Sequence, residues 1–200
     1  MNKLLAALAL VVSAVSAPVL AQAQDKPKVE LFTGYSYQPF DFSPDGHGWN
    51  VSVVANVHRW FGVKADVSGH YLHTRPTIIP LPPLPGILET RISERIHTVV
   101  FGPQTRFLQW KRVSIFQHAL FGLSLFSDRF SSKLNGTSLP ASTFADHGFA
   151  MVLGGGLDVQ VSPRLAIRAG QTDYLFTRIS GFNSHNFRYS GGVVFRFGKR

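Results

Sequence analysis

Ser190-Gly191-Gly192-Val193-Val194-Phe195-Arg196-Phe197 lies three residues from the end of a 200-residue chain. Successive side chains of an extended strand point to opposite faces. Here Tyr189, Val193, Phe195 and Phe197 fall on one face, and Arg188, Ser190, Gly192, Val194 and Arg196 on the other. A strand that is apolar and aromatic on one side and polar, small or charged on the other suits a boundary between lipid and a polar interior.

The same alternation recurs through the chain. Strands are read at about 28–37, 48–58, 62–72, 94–107, 112–126, 148–161, 165–176 and 186–197. Most have the 9 to 11 or so residues that cross a bilayer at a tilt, and helical periodicity is absent. In the second and third, Trp49, Val51, Val53, Ala55 and Val57 alternate with polar residues, as do Val63, Ala65, Val67, Gly69 and Tyr71. A turn over Arg59, Trp60 and Phe61 that pairs Val57 with Val63 sets Trp49 opposite Tyr71 and gathers the apolar residues on one face. Two more short turns, Trp110-Lys111-Arg112 and Ser162-Pro163-Arg164, follow at nearly equal spacing. Long connections at about 38–47, 73–93, 127–147 and 177–185 alternate with them. The expected fold is therefore all-β, an eight-stranded antiparallel up-and-down transmembrane β-barrel with short periplasmic turns and longer extracellular loops.

Lys3, the apolar run Leu4 to Val15, Pro18 and Ala21-Gln22-Ala23 have the layout of a secretory signal peptide. Residues 1–23 are assigned to it and 24–200 to one barrel domain. The run is too short for a membrane-spanning helix of about 20 residues. Cleavage removes one Lys and no acid, so 19 basic residues face 11 acidic ones, a net of +8. For an exported chain the anionic partners are outer-membrane lipids and lipopolysaccharide phosphates, with no nucleic acid. There is no Cys, which excludes disulfides, thiolate metal sites and a lipid anchor on Cys.

The residues also resemble the OmpA-type transmembrane domain of the outer-membrane β-barrel family. The likeness is carried by Phe32-Thr33-Gly34-Tyr35-Ser36-Tyr37, by Gly48-Trp49-Asn50, and by Asn56 to Gly62. It continues through Phe101-Gly102-Pro103, Phe116 to Gly122, Gly154-Gly155-Gly156-Leu157-Asp158-Val159, Ala166-Ile167-Arg168 and Asp173-Tyr174. The periplasmic peptidoglycan-binding domain that follows the barrel in full-length OmpA-type proteins is lacking before Arg200, so cell-wall tethering is not carried over. The closing strand is similar to the family's C-terminal assembly signal, polar-x-Gly-x-x-aromatic-x-aromatic, with Ser190, Gly192, Phe195 and Phe197 in the specified places. The resemblance implies insertion by the barrel assembly machinery.

Eight strands enclose a space that side chains roughly fill. The residues expected inside include Glu30, Lys64, Asp66, Glu94, Arg106, Asp158, Arg168 and Arg196, balanced in sign. A turn centred on Pro163 that sets Val159 opposite Ile167 brings Asp158 opposite Arg168, both inward. This lumen ion pair reads either as a lock or as a gating pair that exchanges partners, and the lock is preferred. The Gly154-Gly155-Gly156 run has no following helix or Lys for phosphate. It reads instead as room for a large neighbour such as Phe116.

Catalytic, cofactor and metal residues are all assigned as none. Among the eight His, only His70 and His73 have a compact spacing, and in a strand they point to opposite faces. His118 shares a face with Ser114 and Ser124, but strand rise separates it from them by about 13 Å and about 20 Å, out of reach of nucleophilic catalysis. The expected role is a monomeric, non-enzymatic envelope or surface-interaction protein. Alternatives are a narrow porin, a lipid-modifying enzyme and a soluble lipocalin-like barrel, the last of which needs its apolar face inside. Two features remain open in role. Residues 76–88, rich in Pro and aliphatics, suit a lid or an adhesive surface. The bases Arg59, Lys111, Arg112 and Arg164, with Lys26, Lys28, Lys199 and Arg200 at the termini, suit an anchor on anionic headgroups or ordinary solubilising turns.

Overall fold

The computed structural model describes residues 27–40, 45–73, 76–80 and 86–198. The assigned signal peptide lies outside them. Ten strands form one antiparallel sheet: β1 (Val29–Gln38), β2 (Gly46–Asn56), β3 (Phe61–His73), β4 (Thr77–Pro80), β5 (Ile87–Trp110), β6 (Val113–Leu134), β7 (Thr137–Ser138), β8 (Ser142–Ser162), β9 (Leu165–Ile179) and β10 (Phe182–Phe197). Eight of them close a ring in the order β1, β2, β3, β5, β6, β8, β9, β10, sealed by β1 on β10 and by β5 on β6. Closure leaves no unpaired edge around the ring, as a wall in lipid requires. The short β4 and β7 are additions to β5 and β6 beyond it.

The barrel is inside-out relative to a soluble one. Among the described residues, 23 polar or charged residues are buried against 11 hydrophobic ones. Phe101, Phe121 and Leu123 face outward at 67%, 44% and 53% exposure. This arrangement disagrees with a lipocalin-like barrel, whose apolar face would line the cavity. Trp60, Trp110 and Phe197 stand exposed at the short-turn end. Tyr35, Trp49 and Tyr189 stand exposed towards the other end, where Trp49 donates from Nε1 to the Tyr71 hydroxyl at 3.4 Å. Apolar belts flanked by such aromatic girdles are the lipid face of a membrane barrel.

Two details differ from the sequence expectation. The β2–β3 register is shifted by two residues, pairing Ala55 with Val63 and Trp49 with Gly69. The cause is a longer turn, in which the Val57 and His58 amides both donate to the Phe61 carbonyl. A slip of two keeps every side chain on its own face, so the apolar grouping survives. The strands also run well into the expected loops. Asn135-Gly136 and Ser180-Gly181 have positive φ at both positions, the two-residue hairpin turn that matches strand twist. With these turns the connections at 127–147 and 177–185 become largely strand. Residues 77–80 pair with 87–90 as an edge of the β5 ribbon; residues 81–85 lie outside the described set.

Candidate functional site

The lumen is filled by charged groups whose partners come from across the ring. Arg168 on β9 donates from Nε to Asp158 Oδ1 on β8 at 2.8 Å, and from Nη1 to Gln171 Oε1 at 2.7 Å. The two residues are register partners, as are Val159 and Ile167. The guanidinium also lies between two rings, its Cζ 4.3 Å from the Phe32 centroid on β1 and 4.2 Å from that of Phe116 on β6. A planar cation stacked on aromatic faces gains from the ring quadrupoles as well as from its carboxylate. Phe116 fits because its wall neighbour is Gly156, where an added Cβ would stand 2.8 Å from the Phe116 Cζ.

Above this plug lies a larger cluster. Asp173 on β9 accepts from Arg188 Nη2 at 2.6 Å and Nε at 2.9 Å, from Gln171 Nε2 at 2.7 Å, and from His118 Nε2 at 3.0 Å. Arg188 also lies 3.1 Å from Asp66 Oδ1 and donates to Ser68 Oγ at 2.8 Å. Lys64 Nζ is 3.2 Å from Asp66 Oδ2 and 3.4 Å from His118 Nδ1. These contacts join β3, β6, β9 and β10 through the centre of the ring. Lys64, Asp66, Asp173 and Arg188 all have 0% side-chain exposure, so no water-sized void touches them. Towards the short-turn end, Glu30 holds Arg106 at 2.6 Å and Arg196, more loosely, at 3.5 Å.

Seven of the eight residues expected inside are buried in the lumen; Glu94 is half-buried on the part of β5 beyond it, and the hub of the central cluster, Asp173, was not among the eight. The strand β9 carries a register shift at Ala169-Gly170, so that Leu157 faces Gly170 while Asp158 faces Arg168. A bulge inserts one residue and reverses inward and outward beyond it. Ala166 and Arg168 therefore point in, and so do Gln171 and Asp173. The signal was available: Tyr174 and Phe176, if outward, put Asp173 inward, and glycine within a strand marks such a shift. His118, Ser114 and Ser124 share the inward face, but both His118 ring nitrogens are occupied by Asp173 and Lys64. Among the described residues, no three His, Asp or Glu are grouped to hold a metal. Ser190, Gly192, Phe195 and Phe197 lie on β10 at the seam with β1, where Gly192 faces Gly34 and Phe195 faces Leu31.

This is the fold of the eight-stranded outer-membrane β-barrels. The attachment invasion locus protein Ail of Yersinia pestis superimposes with a TM-score of 0.52 at 15% identity, over 86% of this chain and 100% of that one. The same protein in complex with the heparin analogue sucrose octasulfate gives 0.55 at 14%, over the same shares of the two chains. Neisserial surface protein A gives 0.45 at 15% identity, over 84% of this chain and 96% of that one. No family model and no curated protein matches the sequence.

Proposed function

We propose that the chain is a monomeric, non-enzymatic outer-membrane barrel with a structural or surface-interaction role, exported by the signal at residues 1–23 and working through its extracellular face. The carrying observation is the central cluster at 0% exposure. Charges bonded across the diameter act as a lock, and a solute passing the lumen would have to break several buried ion pairs at once. That supports a closed barrel over a narrow porin. A lipid-modifying enzyme finds no support in a His118 held between a carboxylate and an ammonium, with no nucleophile beside it.

The remaining roles fit this reading. Ser190, Gly192, Phe195 and Phe197 serve as the signal read by the assembly machinery on the strand that seals the ring against β1. The basic turns rest on anionic headgroups of the periplasmic leaflet, and lipopolysaccharide surrounds the outer half. Membrane fractionation with heat-modifiable gel mobility tests the placement, and a soluble periplasmic product would overturn it. Planar-bilayer conductance tests the lock: steady, large openings of the unmodified protein would restore the porin.

A further inference from the structure

Above the apolar belt, β5 and β6 continue as a paired ribbon, flanked by β3 as far as His73 and by β8 as far as Ser142, and the outward face changes character. Along β5 the outward residues run Phe101, Val99, His97, Arg95, Ser93, Arg91, and along β6 they run Leu123, Leu125, Ser127, Arg129, Ser131, Lys133. In the register, Arg129 lies opposite Ser93, Arg91 opposite Ser131, and Arg95 opposite both Ser127 and Tyr71. Arg129 is thus the diagonal neighbour of both Arg91 and Arg95, about 7 to 8 Å away between backbones. The three arginines, Ser93, Ser131 and Tyr71 border one cleft of 320 Å³. Glu94 borders it too, from a position that alternates to the lumen side.

Every ion pair within 4.0 Å among the described residues lies in the lumen, and none includes Arg91, Arg95 or Arg129. Three like charges border one cleft with a single carboxylate, Glu94, which alternates to the lumen side and makes no ion pair with them within 4.0 Å; they repel one another unless an anion takes the place between them. Guanidinium forks and serine hydroxyls are the donors that bind phosphate, in geometry as well as in charge. Height selects the source. Arg95 lies two residues beyond His97, the partner of the last outward apolar residue of β6, Leu125, about 7 Å along a tilted strand and so about 5 Å above that apolar level. Tyr71, paired to Arg95, belongs to the outer aromatic girdle through its hydrogen bond with Trp49. The cleft therefore opens sideways, at the level of the headgroups of the leaflet that surrounds it.

We propose that Arg91, Arg95 and Arg129 form a binding site for the phosphate groups of lipopolysaccharide in the same outer leaflet. The site rests on the outer-membrane reading above and names the group and the residues that make the contact. It ties the β5–β6 ribbon to the saccharide layer, so that the most extended part of the wall is held by its surroundings.

The test uses the full mature chain refolded in phospholipid nanodiscs, titrated with delipidated lipopolysaccharide core oligosaccharide, phosphorylated or enzymatically dephosphorylated, and with a sulfated heparin fragment. The phosphorylated core should bind, weaken as salt rises, and lose at least tenfold in affinity in the triple variant Arg91→Gln/Arg95→Gln/Arg129→Gln. Arg→Lys at the same three sites should fall between, because it keeps charge and loses the fork. Equal binding by the triple variant or by the dephosphorylated core would overturn the proposal. So would tight binding of the heparin fragment with none of the phosphorylated core. Heat-modifiable mobility of the triple variant separates the two levels of failure: a folded barrel that binds no differently sinks this site and leaves the outer-membrane reading standing.

Discussion

Asp173→Asn is the most informative single change in this barrel. It keeps the side-chain volume but removes one charge and turns one acceptor into a donor, facing groups that already donate. Asp173 receives four hydrogen bonds, two of them from Arg188, in a setting with 0% side-chain exposure. Breaking a buried pair by removing one partner costs about 3 to 5 kcal/mol, chiefly through the charge left behind. Arg188 keeps Asp66 at 3.1 Å and Ser68 at 2.8 Å, which places the expected loss at the lower end, about 3 kcal/mol. If the stranded charge is the cause, removing it should recover stability. The double variant Asp173→Asn/Arg188→Met leaves Lys64 beside Asp66, a neutral remainder, and should regain at least about 1 kcal/mol through coupling between neighbours.

Urea unfolding in phospholipid vesicles, followed by tryptophan fluorescence and by heat-modifiable gel mobility, gives both numbers. A single variant within about 1 kcal/mol of the parent would show that the cluster is solvated or rearranges freely. A double variant no more stable than the sum of its singles would show that packing, and not charge, sets the cost. Either outcome removes the physical basis of the lumen lock.

Three further outcomes follow from the same structure. Arg168→Gln should lose several kcal/mol of barrel stability, since it strands Asp158 and vacates the space between Phe32 and Phe116, yet bilayer conductance should stay small; a large stable pore would make the pair a gate. Glu94 and Asp128 face each other on the extracellular ribbon, and burial raises both above the ordinary carboxylate range, with Asp128 adding repulsion at Glu94. Acids raised in the folded state stabilise it fully below their unfolded pKa, and that stabilisation fades as pH rises through the folded value. Hydrogen exchange in the β5–β6 ribbon, corrected for intrinsic rates, should therefore be slower near pH 4 than near pH 7, and Glu94→Gln should flatten the difference. Replacing Arg59, Lys111, Arg112 and Arg164 with Gln should weaken insertion into anionic vesicles and leave neutral ones unaffected; equal insertion into both would reduce these residues to solubilising turns.

The fold was legible because a β-wall between lipid and a charged interior writes itself in period two, and eight such stretches with short and long connections in turn leave little but a barrel. Errors in that reading are not equal. The β2–β3 hairpin was misplaced by two residues, and nothing about its faces changed, because parity survives an even shift. The single extra residue at Ala169-Gly170 mattered far more, since it reversed the second half of β9 and hid Asp173, the residue on which the central cluster converges. Asp158 opposite Arg168 could be placed because a tight turn at Pro163 lies only a few residues away, whereas Arg188 with Ser68 joins strands 120 residues apart. Local turns fix neighbouring strands, while cross-lumen partners depend on the shear of the whole ring, which no one strand encodes. The arginine cleft has the same origin. Arg91 and Arg129 fall in two different connections read as loops and Arg95 near the start of the fourth strand, and they become a cluster only when β5 and β6 extend through those connections and their register sets the three side by side.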